Sequence, residues 1–334
     1  MSDSSIAKAV EVLRAGRLVA FPTETVYGLG ADASQAEAVR KIFRAKGRPA
    51  DHPVIVHLGT ARELGAWARE IPDAAWQLAE RFWPGPLTLI LKRDPRVLEL
   101  VTGGQDTVGL RVPSHPIAAA LLQAFNGGIA APSANRFGRV SATTAEHVRQ
   151  ELGDAVDYIL DGGACAVGIE STIVDLSSGM PVLLRPGRIT VQEIESLLKV
   201  PVSRGSNASP RTPGTLPAHY APGLPLRLAA VGMLDAAIRE ESVRGPVAVL
   251  ARHARPARSS ATLWMTAPLD AAEYARLLYA GLRQIDDSGC AVIVVETPPD
   301  TPDWSAVRDR LQRAAAGSGA SPVSLAQSSS ADAP

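Results

Sequence analysis

The chain has 334 residues, 46% of them hydrophobic and 20% charged, which is enough apolar surface for two cores. Its 34 basic and 34 acidic side chains cancel to a formal net charge of zero, which argues against a broad basic nucleic-acid surface. Cys165 and Cys290 form no C-x-x-C pair and no run approaches the roughly 18 apolar residues of a membrane span, so neither a zinc site, a disulfide scaffold nor a membrane protein is indicated, and a cytoplasmic location is expected.

Ile6, Val10 and Leu13, with Gly16 as a stop, predict a first helix, followed by a buried strand over 18–21 that Pro22 closes. A polar loop is expected over 23–30. Ser34-x-x-Glu37 reads as a capping box opening a helix with Val39, Ile42 and Phe43 on one face, which delivers Lys46 and Arg48 at its C-terminal exit. Strand signals recur at 54–58, 87–91, 108–112, 129–131, 158–160, 172–176 and 182–184, separated by helical patterns near 61–69, 74–82, 116–125 and 144–151. This predicts an α/β or α+β sheet domain of about 200 residues, whose last helix opens on a second capping box, Thr190-x-x-Glu193.

Residues 201–225 form a linker, because Pro213, Pro217, Pro222 and Pro225 deny that stretch helix or central strand. Strands at 226–229, 247–250 and 291–296 alternate with helices near 232–240, 272–286 and 304–315, which predicts a small parallel βαβ domain over 226–317. The Ser/Ala-rich tail, 318–334, is predicted to be disordered.

G-x-x-x-x-G-K-[ST], H-E-x-x-H and G-x-S-x-G are all absent. Gly28-Leu29-Gly30-Ala31-Asp32-Ala33 spells G-x-G-x-x-A, but it stands too far past the preceding strand for a dinucleotide fingerprint, so a turn into the next helix is preferred. Lys46-Gly47-Arg48-Pro49 is more telling, since only five of the 34 basic residues are lysine. A mobile ammonium beside a planar guanidinium suits polyphosphate, although a solvated helix C-terminus also favours cations. The loop 22–28 offers Thr23, Glu24, Thr25 and Tyr27 after a buried strand, either as ligand groups or as a polar cap on the sheet. His52 and His57 flank a strand near the cationic loop. Thr107, Gly109 and Arg111 share one face of a strand, where Arg111 could meet a ligand carboxylate or an internal acid. Ser133, Asn135 and Ser141 make a hydroxyl- and amide-rich loop, and Ser171, Arg185 and Arg188 add donors at later strand ends.

Taken together, Phe21-Pro22-Thr23-Glu24-Thr25-Val26-Tyr27-Gly28-Leu29, Lys46-Gly47-Arg48-Pro49, Ser133-Ala134-Asn135, Gly168-Ile169-Glu170-Ser171-Thr172 and Arg185-Pro186-Gly187 closely resemble the YrdC/Sua5 family of threonylcarbamoyl-AMP synthases. The likeness spans about 6–200 and continues into Pro213-Gly214 and His219-Tyr220-Ala221-Pro222, which look like the linker of the two-domain Sua5 type. It implies a YrdC-like twisted mixed sheet with flanking helices over 1–200, and a smaller Rossmann-like parallel α/β domain after the linker. It also implies a reaction in which L-threonine, bicarbonate and ATP give threonylcarbamoyl-AMP and pyrophosphate, for the t6A modification of tRNA. Mg2+ would accompany the phosphates, the product would pass to downstream threonylcarbamoyl-transferase proteins, and tRNA contact is a further implication.

Residue by residue, the resemblance makes Lys46, Arg48, Ser133 and Asn135 the catalytic set on the ATP phosphates. His52, Thr107, Ser141, Arg185 and Tyr220 would add nucleotide contacts, with Tyr220 on a linker that folds over the pocket. Thr25, His57, Arg111, Ala131 and Ser171 would surround threonine; no residue is assigned to a protein-held metal. Phe137 departs from the family, which often has a small polar residue there. The rival readings are an RNA-binding, translation-associated module, marked by salt-sensitive tRNA binding without turnover, and a carbamoyl-phosphate-dependent carbamoyltransferase domain.

Overall fold

A computed structural model describes residues 3–206 and 208–319. Most of the expected tail, 320–334, lies outside the described residues. Ser318, the first residue of that tail, is ordered against the expectation: its hydroxyl accepts from Leu226 N at 2.8 Å.

The first sheet is built from β1 (Val19–Phe21), β2 (Gly28–Asp32), β3 (Ile55–His57), β4 (Leu87–Lys92), β5 (Thr107–Arg111), β6 (Ile129–Ala130), β7 (Tyr158–Ile159), β8 (Thr172–Asp175), β9 (Val182–Arg185) and β10 (Ser203–Arg204). Its order is β10-β9-β8-β4-β5-β3-β6-β2-β1-β7, with parallel and antiparallel neighbours mixed. The second sheet has β11 (Leu226–Ala229), β12 (Val247–Ala251), β13 (Leu263–Thr266) and β14 (Val292–Glu296) in the all-parallel order β11-β14-β12-β13. Fully buried runs in β12 and β14 are what a parallel sheet covered on both faces requires.

Two local features position the site. The helix Ala36–Lys46 buries Ala38, Val39, Ile42 and Phe43 and ends at Gly47, whose φ of 63° lets Arg48 N close back on Phe43 O at 2.9 Å. This reversal turns Lys46 and Arg48 inward. The parallel register of β3 and β5 sets His57 beside Arg111, and an isolated bridge sets Gly28 against Ser133.

Several sequence expectations are corrected. The loop ends at Tyr27, because Gly28–Asp32 is a strand that pairs antiparallel with β1. A Cβ on Gly30 would come within 2.8 Å of the Phe21 ring and 2.9 Å of Ile129, so this glycine marks close packing rather than a turn. The G-x-G-x-x-A run therefore lies largely inside a strand. Ser34 does not cap the next helix, since its hydroxyl donates to Asp32 Oδ1 at 2.6 Å and the helix starts after Gln35. The helix expected over 61–69 is a 3-10 turn, Ala61–Glu63, and one helical turn, Leu64–Trp67. His57 ends β3 instead of flanking it. β13 escaped the pattern, and the linker contains β10, an edge strand parallel to β9.

The second core crosses the domain boundary. Val26, Val140, Ile169 and Tyr220 pack with Leu278, Tyr279, Leu282 and Leu311. The glycine at 168, φ 82°, admits the backbone of the helix Ala271–Asp286 so closely that a Cβ would lie 2.5 Å from Arg276 Cα.

Candidate active site

The loop after β1 is knotted by its own hydroxyls. Thr23 Oγ1 donates to Val26 O at 2.6 Å, accepts from the amides of Thr25 and Val26, and shares a hydrogen bond with Thr25 Oγ1 at 2.8 Å. Arg111 reaches this loop from β5: Nη1 donates to Thr25 Oγ1 at 2.9 Å, Nη2 to Glu24 Oε1 at 2.6 Å, and Nε to Gly85 O at 3.2 Å. Glu24, which the sequence offered as a loop group without a role, is therefore the internal acid. These bonds use three of the five N–H groups of the guanidinium and leave two.

His57 lies against Arg111 and packs edge-on to Phe21. Burial, reinforced by the Arg111 charge, pushes its pKa down to about 3, so the imidazole is neutral. Ala131 and Ser171 complete this wall. Ser171 Oγ pairs with Thr88 Oγ1 at 2.8 Å and accepts from Arg185 Nη2 at 3.1 Å, while Arg185 Nη1 donates to Pro213 O of the linker at 2.9 Å.

The exit of the helix Ala36–Lys46 brings two further cations to this region. Lys46 Nζ donates to Ser133 O at 2.6 Å and also to Asn135 O, so the lysine and the Ser133–Asn135 loop are joined through backbone carbonyls. Burial and the nearby Arg48 hold its pKa well below the ordinary lysine value. Lys46, His52, Asn135, Ser141 and Thr107 do not line the cavity, whereas Arg48, Ser133, Arg185 and Tyr220 do. Thr107 is four residues from Arg111 along β5, about 13 Å away. Arg48 donates to Pro53 O at 2.8 Å, and its guanidinium lies 5.4 Å from the Phe137 ring. Burial lowers its pKa to about 10, which leaves it charged at neutral pH. Phe137 also meets His52 and His219 edge-on and supplies an aromatic floor for Arg48.

Ser141 has a different neighbour from the one expected. Its hydroxyl donates to Glu170 Oε1 at 2.5 Å, and Glu170 Oε2 accepts from Tyr279 at 3.0 Å and from Arg310 Nε at 2.7 Å. Glu170, His219 and Arg310 were missed in the sequence. Glu170 had a signal in its place beside Ser171, but Arg310 had none, because its partner is 140 residues away. Tyr220 is fully buried at φ 60°, stacked on Tyr279 and capped by Arg310.

The cavity is about 50 Å3, and its roof is Pro213, Gly214, His219 and Tyr220. That is far below the roughly 300–1,000 Å3 of a small-molecule site, and linker residues occupy part of that space. His57 and His219 line the cavity with buried Nδ1 atoms that have no partner among the described residues, the kind of group a polar ligand satisfies. The single carboxylate in the lining, Glu170, has both oxygens engaged, so this donor set does not fit a protein-held metal.

Fold and pocket together define a two-domain α/β protein whose linker helps to line a cationic small-molecule site. The chain belongs to the family of Sua5, YciO and YrdC proteins, whose profile, described as telomere recombination, matches residues 11–187. Residues 189–316 match the family described as threonylcarbamoyl-AMP synthase, C-terminal domain. Among similar proteins, the threonylcarbamoyl-AMP synthase of Pyrococcus abyssi is 40% identical over 328 residues, covering 94% of this chain and 95% of its own length. That of Bacillus subtilis is 41% identical, covering 95% and 94%. The crystal structure of P. abyssi Sua5 complexed with L-threonine superposes with a TM-score of 0.89 at 38% identity, covering 95% of this chain and 96% of that one.

Proposed function

We propose that this chain is a threonylcarbamoyl-AMP synthase, joining L-threonine, bicarbonate and ATP into threonylcarbamoyl-AMP with release of pyrophosphate. One observation carries this reading: an amino-acid-sized set of polar groups, Thr25, His57, Arg111 and Ser171, lines the same small cavity as Arg48, Ser133 and Arg185. Its relatives of that name match nearly the whole chain.

The chemistry asks for positioning and charge neutralisation. The threonine amine and bicarbonate give a carbamate and water, a carbamate oxygen attacks the α-phosphorus, and pyrophosphate leaves. Arg111, with two N–H groups to spare, is suited to the threonine carboxylate. Arg48 and Arg185 are suited to the phosphates, and Lys46 fixes the loop that presents Ser133. Mg2+ enters this reading as a companion of the ATP phosphates. A neutral His57 leaves the threonine side without a competing imidazolium. Closure of Tyr220 and its neighbours excludes water from the carbamate and the mixed anhydride.

The reading extends to a catalytic unit over 1–200, a linker over 201–225 and a second unit over 226–317, with a cytoplasmic role in t6A synthesis. The product would be handed to threonylcarbamoyl-transferase proteins, with tRNA contact as a further proposal. Among the described residues, no helix is long and apolar enough to cross a membrane. The test is pyrophosphate release from ATP, Mg2+, bicarbonate and labelled threonine, with each component omitted in turn. Release that needs neither threonine nor bicarbonate would overturn the assignment.

A further inference from the structure

Arg310 lies in the last helix, Ser305–Gly317, of the second domain and is fully buried, yet it reaches three elements around the cavity. Nε donates to Glu170 Oε2 at 2.7 Å and Nη2 to Pro186 O at 3.0 Å, while the guanidinium lies 5.0 Å from the Tyr220 ring centroid. Nη1 is held by Asp309 at 2.6 Å. Asp309 also holds Arg313, whose Nη1 donates to Thr215 O at 2.7 Å and Leu216 O at 2.5 Å. One turn of helix thus grips the linker at two points.

We propose that Arg310 is a positioning residue for the nucleotide half of the site, setting Glu170 and through it Ser141, and seating Tyr220 and the strand end that carries Arg185. This rests on the function proposed above. An ion pair that served only to fasten the two domains would need Glu170 alone. Here the fork is divided among the loop before β8, the residue after β9 and the linker, and the last two carry Arg185 and Tyr220, the groups given to the nucleotide above. Burial disfavours the charged form of Glu170, but Arg310, Arg185 and the Ser141 hydrogen bond outweigh it and hold its pKa down at about 2. The ionised carboxylate accepts a hydrogen bond from the single O–H of Ser141 and so fixes the orientation of that hydroxyl.

Steady-state pyrophosphate release by the full-length protein, with ATP and threonine varied separately, tests this. Arg310→Lys keeps the charge but loses the fork. It is expected to raise KM for ATP about tenfold, the worth of one charged hydrogen bond, while KM for threonine stays within about twofold. Glu170→Gln combined with Arg310→Gln removes both charges without orphaning either, and should show the same ATP-specific rise in a folded protein. Ser141→Ala should also raise KM for ATP, and adding it to Arg310→Lys should cost less than the product of the single effects. A proportional rise in both KM values, a lowered Tm with both KM values unchanged, or wild-type constants in the neutral pair would overturn the proposal. Should Arg310→Lys fail to fold, the neutral pair decides. A wild-type ATP requirement in a variant whose turnover still needs threonine defeats this proposal alone. Threonine-independent release by the unaltered protein defeats the functional reading and this proposal with it.

Discussion

Arg111 and Glu24 show what a single contact decides. The sequence left Arg111 between a ligand carboxylate and an internal acid, and the geometry gives it the acid while two donors remain. Arg111→Lys keeps the buried ion pair charged but loses the planar fork. KM for threonine should rise about ten- to a hundredfold and KM for ATP much less, and equal losses in steady-state kinetics would remove Arg111 from the threonine side. The buried His57 and His219 make a second prediction. Burial lowers both to about 3, so between about pH 3 and the unfolded value of 6.5 the unfolded chain binds more protons than the folded one. Stability from this source is complete above pH 7 and falls as pH drops below 6.5. Urea unfolding at pH 5 should show a loss of about 2 kcal/mol per histidine relative to pH 7, about 4 kcal/mol in all.

At the scale of elements, the linker behaves as a fitted part. Arg185 holds Pro213 O, Arg313 holds Thr215 O, Gly138 O accepts from Ala221 N at 2.8 Å, and Arg139 donates to Pro222 O at 3.0 Å. Its prolines excluded helix, as the sequence said. They could not reveal that a run without regular hydrogen bonds would roof the cavity. Gly214, at φ 78°, is the tightest point: a Cβ there would sit 1.9 Å from the Tyr220 hydroxyl and 3.1 Å from Arg185 Nη1. Gly214→Ala is therefore expected to lift Tyr220 and reduce threonylcarbamoyl-AMP formed per ATP consumed by about tenfold or more, measured as the ratio of product to pyrophosphate. A chain ending at Val200 should lose coupled synthesis altogether. Full coupled activity in it would end the idea of a functional roof.

For the whole molecule, the consequence is that the two sheets are not independent. The second core borrows Val26, Val140 and Ile169 from the loops around the first domain's site, and the helix Ala271–Asp286 rests directly on Gly168. Gly168→Ala would force that helix outward or strain the loop, at a cost on the order of 2–4 kcal/mol. Calorimetry should then show a lowered or divided transition in place of a single one; an unchanged midpoint would mean the domains do not support each other here.

The sequence by itself determined the layered α/β plan, most of its strands and helices, and the residue types of a phosphate and amino-acid site, because periodicity, caps and turn chemistry are local. It also carried the motif order that marks the family. Gly28–Asp32 was misread as a loop because glycine signals a turn locally but permits close strand packing globally. The partners of Lys46, Ser141 and Arg111, the role of Phe137 under Arg48, and the reach of Arg310 into the first domain were decided by tertiary structure alone. Each depends on which side chains the sheet order brings together across 29 to 140 residues of chain, and no local pattern encodes that distance.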